Sequence, residues 1–126
     1  MENRIARDVE DAAYEVHYRL GPGLLETVYQ RALSHELALR GVGYVEELAI
    51  SIRYKSMTFD DGFRADFVVE NKVILELKSI EVLAPVHTKQ LLTYLRFADR
   101  RLGLLINFGA PLIKDGIRRV VNGLKE

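Results

Sequence analysis

The run Phe63-Arg64-Ala65-Asp66-Phe67-Val68-Val69-Glu70-Asn71-Lys72-Val73-Ile74-Leu75-Glu76-Leu77-Lys78 holds two alternating segments around three polar residues. Ala65, Phe67 and Val69 in the first, and Val73, Leu75 and Leu77 in the second, recur at every other position, the period of a strand with one buried face. Residues that oppose each other across an antiparallel pair share a face, so the two apolar sets must face each other. That requires a loop with an odd number of residues. With Glu70-Asn71-Lys72 as the loop, and Asn71 or Lys72 in the left-handed conformation, Val69 opposes Val73 and Asp66 opposes Glu76. Arg64 then opposes Lys78. Directly opposed residues have Cβ atoms about 4.5–5.5 Å apart, so two carboxylates meet within reach of one divalent cation, and Lys78 stands one pleat away on their face.

Working outward, Leu48, Ile50, Ile52 and Tyr54 alternate with polar neighbours as another strand, and Asp60-Asp61-Gly62 signals the turn that joins it to Phe63–Val69. A three-stranded meander is expected. Before it, Ile5, Val9, Ala12, Ala13, Val16 and Leu20 recur at helical spacing, Gly21-Pro22-Gly23 stops that helix, and a second runs from Leu24 through Val28, Ala32, Leu33 and Leu37 to Gly41. After it, Pro85 opens a helix carrying Thr88, Leu91, Leu92, Leu95 and Ala98 onward to Arg101, and Leu102–Asn107 is a buried strand. The rest, with Ile117, Val120 and Val121, fits a short strand or a helix. The order α-α-β-β-β-α-β defines an α/β (α+β) chain.

The 126 residues suit one domain, 1–126, able to bury roughly 65–70% of its unfolded surface without disulfides or zinc. Hydrophobic residues make up 48% and charged ones 29%, as in globular proteins, and zero cysteines exclude thiol catalysis and fit a reducing cytoplasm. No apolar run reaches the roughly 18–20 residues of a membrane span, and Met1 is followed by polar residues rather than a leader, so a cytoplasmic protein is expected. The net charge is zero but uneven: residues 1–47 carry five basic against nine acidic groups, 48–84 five against six, and 85–126 eight against three. The basic charge that a polyanion needs therefore lies toward the C-terminus.

Like charges opposed across a sheet destabilise it by about 0.2–1 kcal/mol, so the Asp66–Glu76 pair calls for compensation. Carboxylate oxygens are the hard ligands of Mg2+ or Mn2+, and a lysine beside them can orient a water. The alternative is a solvated sheet surface, against which the apolar Val68 and Ile74 on the same face argue. Glu26 shares its helical direction with Leu33 and Leu37 and so projects from an apolar face; otherwise it is a first-turn glutamate favoured by the helix dipole. On the Pro85 helix, His87, Gln90, Tyr94 and Arg101 form a polar stripe beside Leu91, Leu92 and Leu95. His87 also reads as a surface residue and Tyr94 as an aromatic at the core's edge.

Gly23-Leu24-Leu25-Glu26-Thr27-Val28-Tyr29 resembles the motif of the GxxExxY family of small bacterial and archaeal proteins, and the likeness extends through Arg64-Ala65-Asp66-Phe67, Glu76-Leu77-Lys78, His87–Leu95 and Leu105-Ile106-Asn107-Phe108. That family is grouped with the PD-(D/E)XK nuclease-like superfamily. The resemblance implies a restriction-endonuclease-like core, a central mixed sheet flanked by helices around a metal site. It implies that Asp66 and Glu76 are metal ligands, that Lys78 is the catalytic lysine, that Glu26 is sent toward the metal by the first core helix, and that Gln90 and Tyr94 lie near the site. Ala65 stands where the superfamily motif is named for proline.

Two functions follow as expectations. The first is a nuclease that hydrolyses DNA phosphodiesters with one or two Mg2+ (or Mn2+) ions held by Asp66, Glu76, Glu26 and the Leu77 carbonyl, with Lys78 orienting water and Gln90 assisting. Lys89, Arg96, Tyr94 and Arg64 would touch the nucleic acid, within a wider basic set of Arg100, Arg101, Lys114, Arg118 and Arg119. The second is a binding module that keeps the fold without turnover, or acts with a partner protein; hydrolysis of another phosphorylated compound is a weaker third. A homodimer or larger complex would supply two sites for two strands.

Overall fold

The computed structural model describes residues 1–125. In chain order the elements are α1 (Glu2–Leu20), α2 (Glu26–Leu39), β1 (Tyr44–Tyr54), β2 (Met57–Val69), β3 (Val73–Lys78), α3 (Pro85–Ala98), β4 (Leu102–Asn107), α4 (Ile113–Gly116) and β5 (Ile117–Val121). The strands form one mixed sheet in the order β1-β2-β3-β4-β5, with β3 and β4 parallel and the other neighbours antiparallel. The parallel pair needs a crossover, which α3 provides. No helix among the described residues is long and apolar enough to cross a membrane.

The helices cover both faces. Ile5, Val9, Ala12, Ala13 and Val16 of α1, with Tyr29, Leu33 and Leu37 of α2, are buried against Phe67, Val69, Leu75, Leu77, Leu104 and Ile106. On the other face Leu91 and Leu95 of α3 close over Val68, Ile74 and Leu105. Each such aliphatic side chain contributes about 1.5–3 kcal/mol by leaving water, so the alternation read from the sequence fixes which face each helix covers. Ala65 departs from it: it belongs to the second cluster with Leu48, its partner across the β1–β2 pair.

The β2–β3 register is the expected one, with Val69 opposite Val73 and Phe67 opposite Leu75. In its loop Glu70 and Asn71 take positive φ, 51° and 56°, and the Lys72 N–H bonds to the Val69 carbonyl at 2.9 Å. Asn71 is thus left-handed as expected, joined by Glu70 rather than Lys72.

Asp60-Asp61-Gly62 is not a turn. The β1–β2 hairpin turns at Lys55-Ser56, and β2 runs unbroken from Met57. The register shifts from Ile50↔Phe63 to Ile52↔Phe59, so the three residues form a bulge in β2. Gly62 is there for space: a Cβ would meet the Ile52 side chain at 2.5 Å. Three further boundaries differ. Helix α2 begins at Glu26 rather than Leu24, α3 ends at Ala98 with Asp99 left-handed (φ 53°), leaving Arg101 outside, and the C-terminal segment is both a helix, α4, and a strand, β5.

Candidate metal centre

The ladder between β2 and β3 ends at Phe67↔Leu75, and beyond it the side chains of the two acids take over the backbone. The Leu77 N–H donates to Asp66 Oδ2 at 2.7 Å, and the Asp66 N–H donates to Glu76 Oε1 at 3.4 Å. Each carboxylate therefore accepts from the neighbouring strand, and the pair stands side by side as the register predicts. Both are half-buried, and Glu76 alternates in step with Ile74, which packs under α3.

Burial pushes the Asp66 carboxyl up to about 6; the Leu77 N–H and the Lys78 charge oppose this, while the charges of Glu26 and Glu47 add to it. Burial likewise pushes Glu76 up to about 8, helped by the Asp66 charge and countered by the bond from Asp66 and by Lys78. Near neutrality the two acids hold about one proton between them, as like charges forced together in a poorly hydrated place must. A divalent cation can replace that proton.

Lys78 ends β3 and Asn107 ends β4, opposite each other in the parallel pair, so the centre sits at the carboxyl ends of these strands, where α/β sheets build sites. Glu26 is the first residue of α2 and is exposed, not buried on the Leu33–Leu37 face as its helical direction suggested. Its carboxylate stays in water while its charge still acts on both Asp66 and Glu76. Tyr94 reaches the centre from α3: burial raises its phenol, and the charges of Glu76 and Asp66 raise it further. Its ring stacks on Phe63 at 3.9 Å.

Other expected residues lie farther out. Gln90, Lys89 and Arg96 are exposed on α3. Arg64 is not opposite Lys78: it pairs with Ala49 of β1, is exposed, and bonds to Asp61 and the Glu47 carbonyl, each at 3.4 Å. The ladder on that side has already ended at Phe67, which frees Arg64 from β3. Leu77 is fully buried, and its N–H is the group seen to bond to Asp66. His87 caps α3, its Nδ1 accepting from the Ala84 N–H at 3.0 Å. His17 is buried with Nε2 2.8 Å from the Ala110 carbonyl.

Glu47 was missed. It falls between the pairs Glu46↔Phe67 and Leu48↔Ala65, beside Asp66, and takes a left-handed φ of 51° within β1. Gln30 of α2 holds its carboxylate at 2.8 Å. A correct β1–β2 register would have revealed it, and the misread turn concealed that register.

Among the described residues no three carboxylates or imidazoles form a closed ligand cluster. The donor set still fits Mg2+ or Mn2+, which are commonly held by one or two carboxylates with waters and substrate phosphates completing the shell. The chain matches the model of the PD-(D/E)XK nuclease superfamily over residues 3–120. It matches no curated protein and no solved structure. The five-stranded mixed sheet flanked by helices is consistent with the restriction-endonuclease-like fold of that superfamily. Since the match covers nearly the whole chain, including both strands of the acid pair, the protein belongs to the PD-(D/E)XK nuclease superfamily.

Proposed function

We propose that this chain is a metal-dependent nuclease of the GxxExxY type that hydrolyses phosphodiester bonds in DNA, residues 1–126 acting as one domain in the cytoplasm. The observation that carries this reading is the Asp66–Glu76 pair, two half-buried acids with raised proton affinity at the carboxyl end of β3, next to Lys78. Such a pair destabilises the fold unless a cation occupies it.

Asp66 and Glu76, together with Glu26 and the Leu77 carbonyl, would hold Mg2+ or Mn2+. When bound, the cation supplies Lewis-acid polarisation of the scissile phosphate and neutralises charge that develops on it. Lys78, half-buried beside the acids, orients the attacking water and donates to the phosphate oxygens. Tyr94 borders the acids, and Gln90 on the same helix steadies water or phosphate. Lys89, Arg96 and Arg64 are exposed cations suited to backbone phosphates.

The test is a Mg2+ and Mn2+ titration followed by thermal melting, with cleavage of single-stranded, duplex and branched DNA scored in the same samples. Wild-type protein is expected to melt higher with metal and to cut, and Asp66→Ala and Glu76→Ala to lose both effects. Metal stabilisation without cutting would assign a binding module that keeps the fold, and metal effects that survive in both variants would remove the acid pair from the site.

A further inference from the structure

Helix α2 starts without a side-chain cap, its N-cap position being Leu25. Something else must fix the turn that delivers Glu26. That turn leaves α1 through Gly21 and Gly23, both at positive φ, 69° and 100°. Its central residue, Leu24, is held on both sides. The Leu24 N–H donates to the Tyr29 hydroxyl at 3.1 Å, and that hydroxyl donates to the Gly21 carbonyl at 2.5 Å. The Leu24 carbonyl accepts from Ser79 Oγ at 2.5 Å.

These bonds close a circuit around the end of β3. Ser79 directly follows Lys78, and the Lys78 carbonyl accepts from the Phe108 N–H at 2.9 Å. The Phe108 ring stacks on Tyr29 at 4.7 Å, and Tyr29 is fully buried in the core. Lys78, Phe108, Tyr29, Leu24 and Ser79 are thus linked in a ring of bonds and contacts. The turn that carries Glu26 cannot shift against Lys78 without breaking one.

We infer that Ser79 and Tyr29 are positioning residues that hold Leu24, and through it the first turn of α2, so that Glu26 presents its carboxylate to the Asp66–Glu76 pair. The inference rests on the nuclease reading and deepens it. It explains why an exposed residue on a separate helix still acts electrostatically on both Asp66 and Glu76. It also gives the Gly23-x-x-Glu26-x-x-Tyr29 spacing a physical basis. One turn of helix after Glu26, Tyr29 points its hydroxyl back at the loop that launches the helix. Groups that orient a metal site without touching the ion are commonly worth about 10–100-fold in affinity or rate.

Mn2+ binding, with the free ion read by electron paramagnetic resonance, and DNA cleavage are measured for wild type, Ser79→Ala, Ser79→Thr, Glu26→Gln and the double variant Ser79→Ala/Glu26→Gln. Ser79→Ala is expected to weaken Mn2+ binding or slow cleavage about 10-fold, and Ser79→Thr, which keeps the hydroxyl, to restore both. On the Glu26→Gln background Ser79→Ala should add nothing, because its effect passes through Glu26. Tyr29→Phe, with folding checked by melting, should mimic Ser79→Ala. Equal effects of Ser79→Ala with and without Glu26 would make Ser79 a fold residue and overturn the inference, as would wild-type binding and cleavage in Ser79→Ala. Wild-type protein that neither binds Mn2+ nor cuts would overturn the nuclease reading itself, and the inference with it.

Discussion

At the scale of residues, the Asp66–Glu76 pair makes a thermodynamic prediction that needs no substrate. Both carboxyls are raised by folding, from 3.8 to about 6 and from 4.5 to about 8. Between the unfolded and folded values the native state retains protons that the unfolded chain has released. Metal-free protein should therefore lose stability as pH rises from about 5 to about 8, because the slope follows the excess of protons bound in the native state. Glu76→Gln should flatten the melting profile and gain on the order of 1 kcal/mol at pH 8. Saturating Mg2+ should have the same effect on wild type, and its affinity should climb through the same window as protons leave. A flat profile for the metal-free protein would mean that water reaches the pair more freely than its burial implies. The pair itself was legible in the sequence, because a period of two and an odd loop leave only one register. Glu26 was half legible. Its place in the first turn of the second helix was read, but it is exposed rather than set on the buried Leu33–Leu37 face, and no wheel shows where a helix starts against its neighbour.

At the scale of elements, Asn107 pins the segment after Lys78 at Ile80. Asn107, the last residue of β4, is 2% exposed, and its Oδ1 accepts from the N–H groups of Ile80 and Gly109, both at 3.0 Å. Its Nδ2 donates to the Ile80 carbonyl at 2.9 Å. Asn107→Ala would leave three backbone groups without their partner, and at about 1–3 kcal/mol for each buried unsatisfied group a loss near 3 kcal/mol is expected in urea denaturation. Gly109→Ala should be worse, since its Cβ would lie 2.1 Å from the Ile80 carbonyl oxygen, which is backbone and has nowhere to go. A loss under about 1 kcal/mol for Asn107→Ala would show that water replaces the amide. The bounds of β4 were readable because five consecutive apolar or small residues, Leu102 to Ile106, mark a buried parallel strand. The function of Asn107 was not, since it depends on a crossover that returns 27 residues of chain to the same place. The bulge escaped for another reason. Asp-Asp-Gly has turn chemistry, and only the packing of Ile52 shows that the glycine makes room instead.

At the scale of the molecule, the charge asymmetry seen in the sequence narrows once partners are counted. Arg100 turns back on Asn71 and the Ala98 carbonyl, Arg101 pairs with Asp99, and Arg118 bonds to the carbonyls of Asp115 and Ile117. Lys89 and Arg96 are exposed on α3, the helix that covers the face of the acid pair, and among the described residues their side chains bond to no other group. The proposed DNA contact should thus depend on these two more than on the rest of the basic C-terminal third. Each phosphate contact contributes about 0.9 to the slope of log affinity against log salt on duplex DNA. Lys89→Glu/Arg96→Glu should lower that slope by roughly 2 and weaken binding evenly across sequences. Melting should change little, because both side chains are exposed. The comparison is best made in Ca2+, which can occupy a carboxylate site and screen the acids while the slope is read. An unchanged slope would move the nucleic-acid path off α3, toward the β5 edge where Arg118 and Arg119 are exposed. Arg118, opposite Leu105, faces the α3 side and Arg119, opposite Leu104, the other, so a duplex held at this edge would have to reach across β4 from β5 to β3 to be cut.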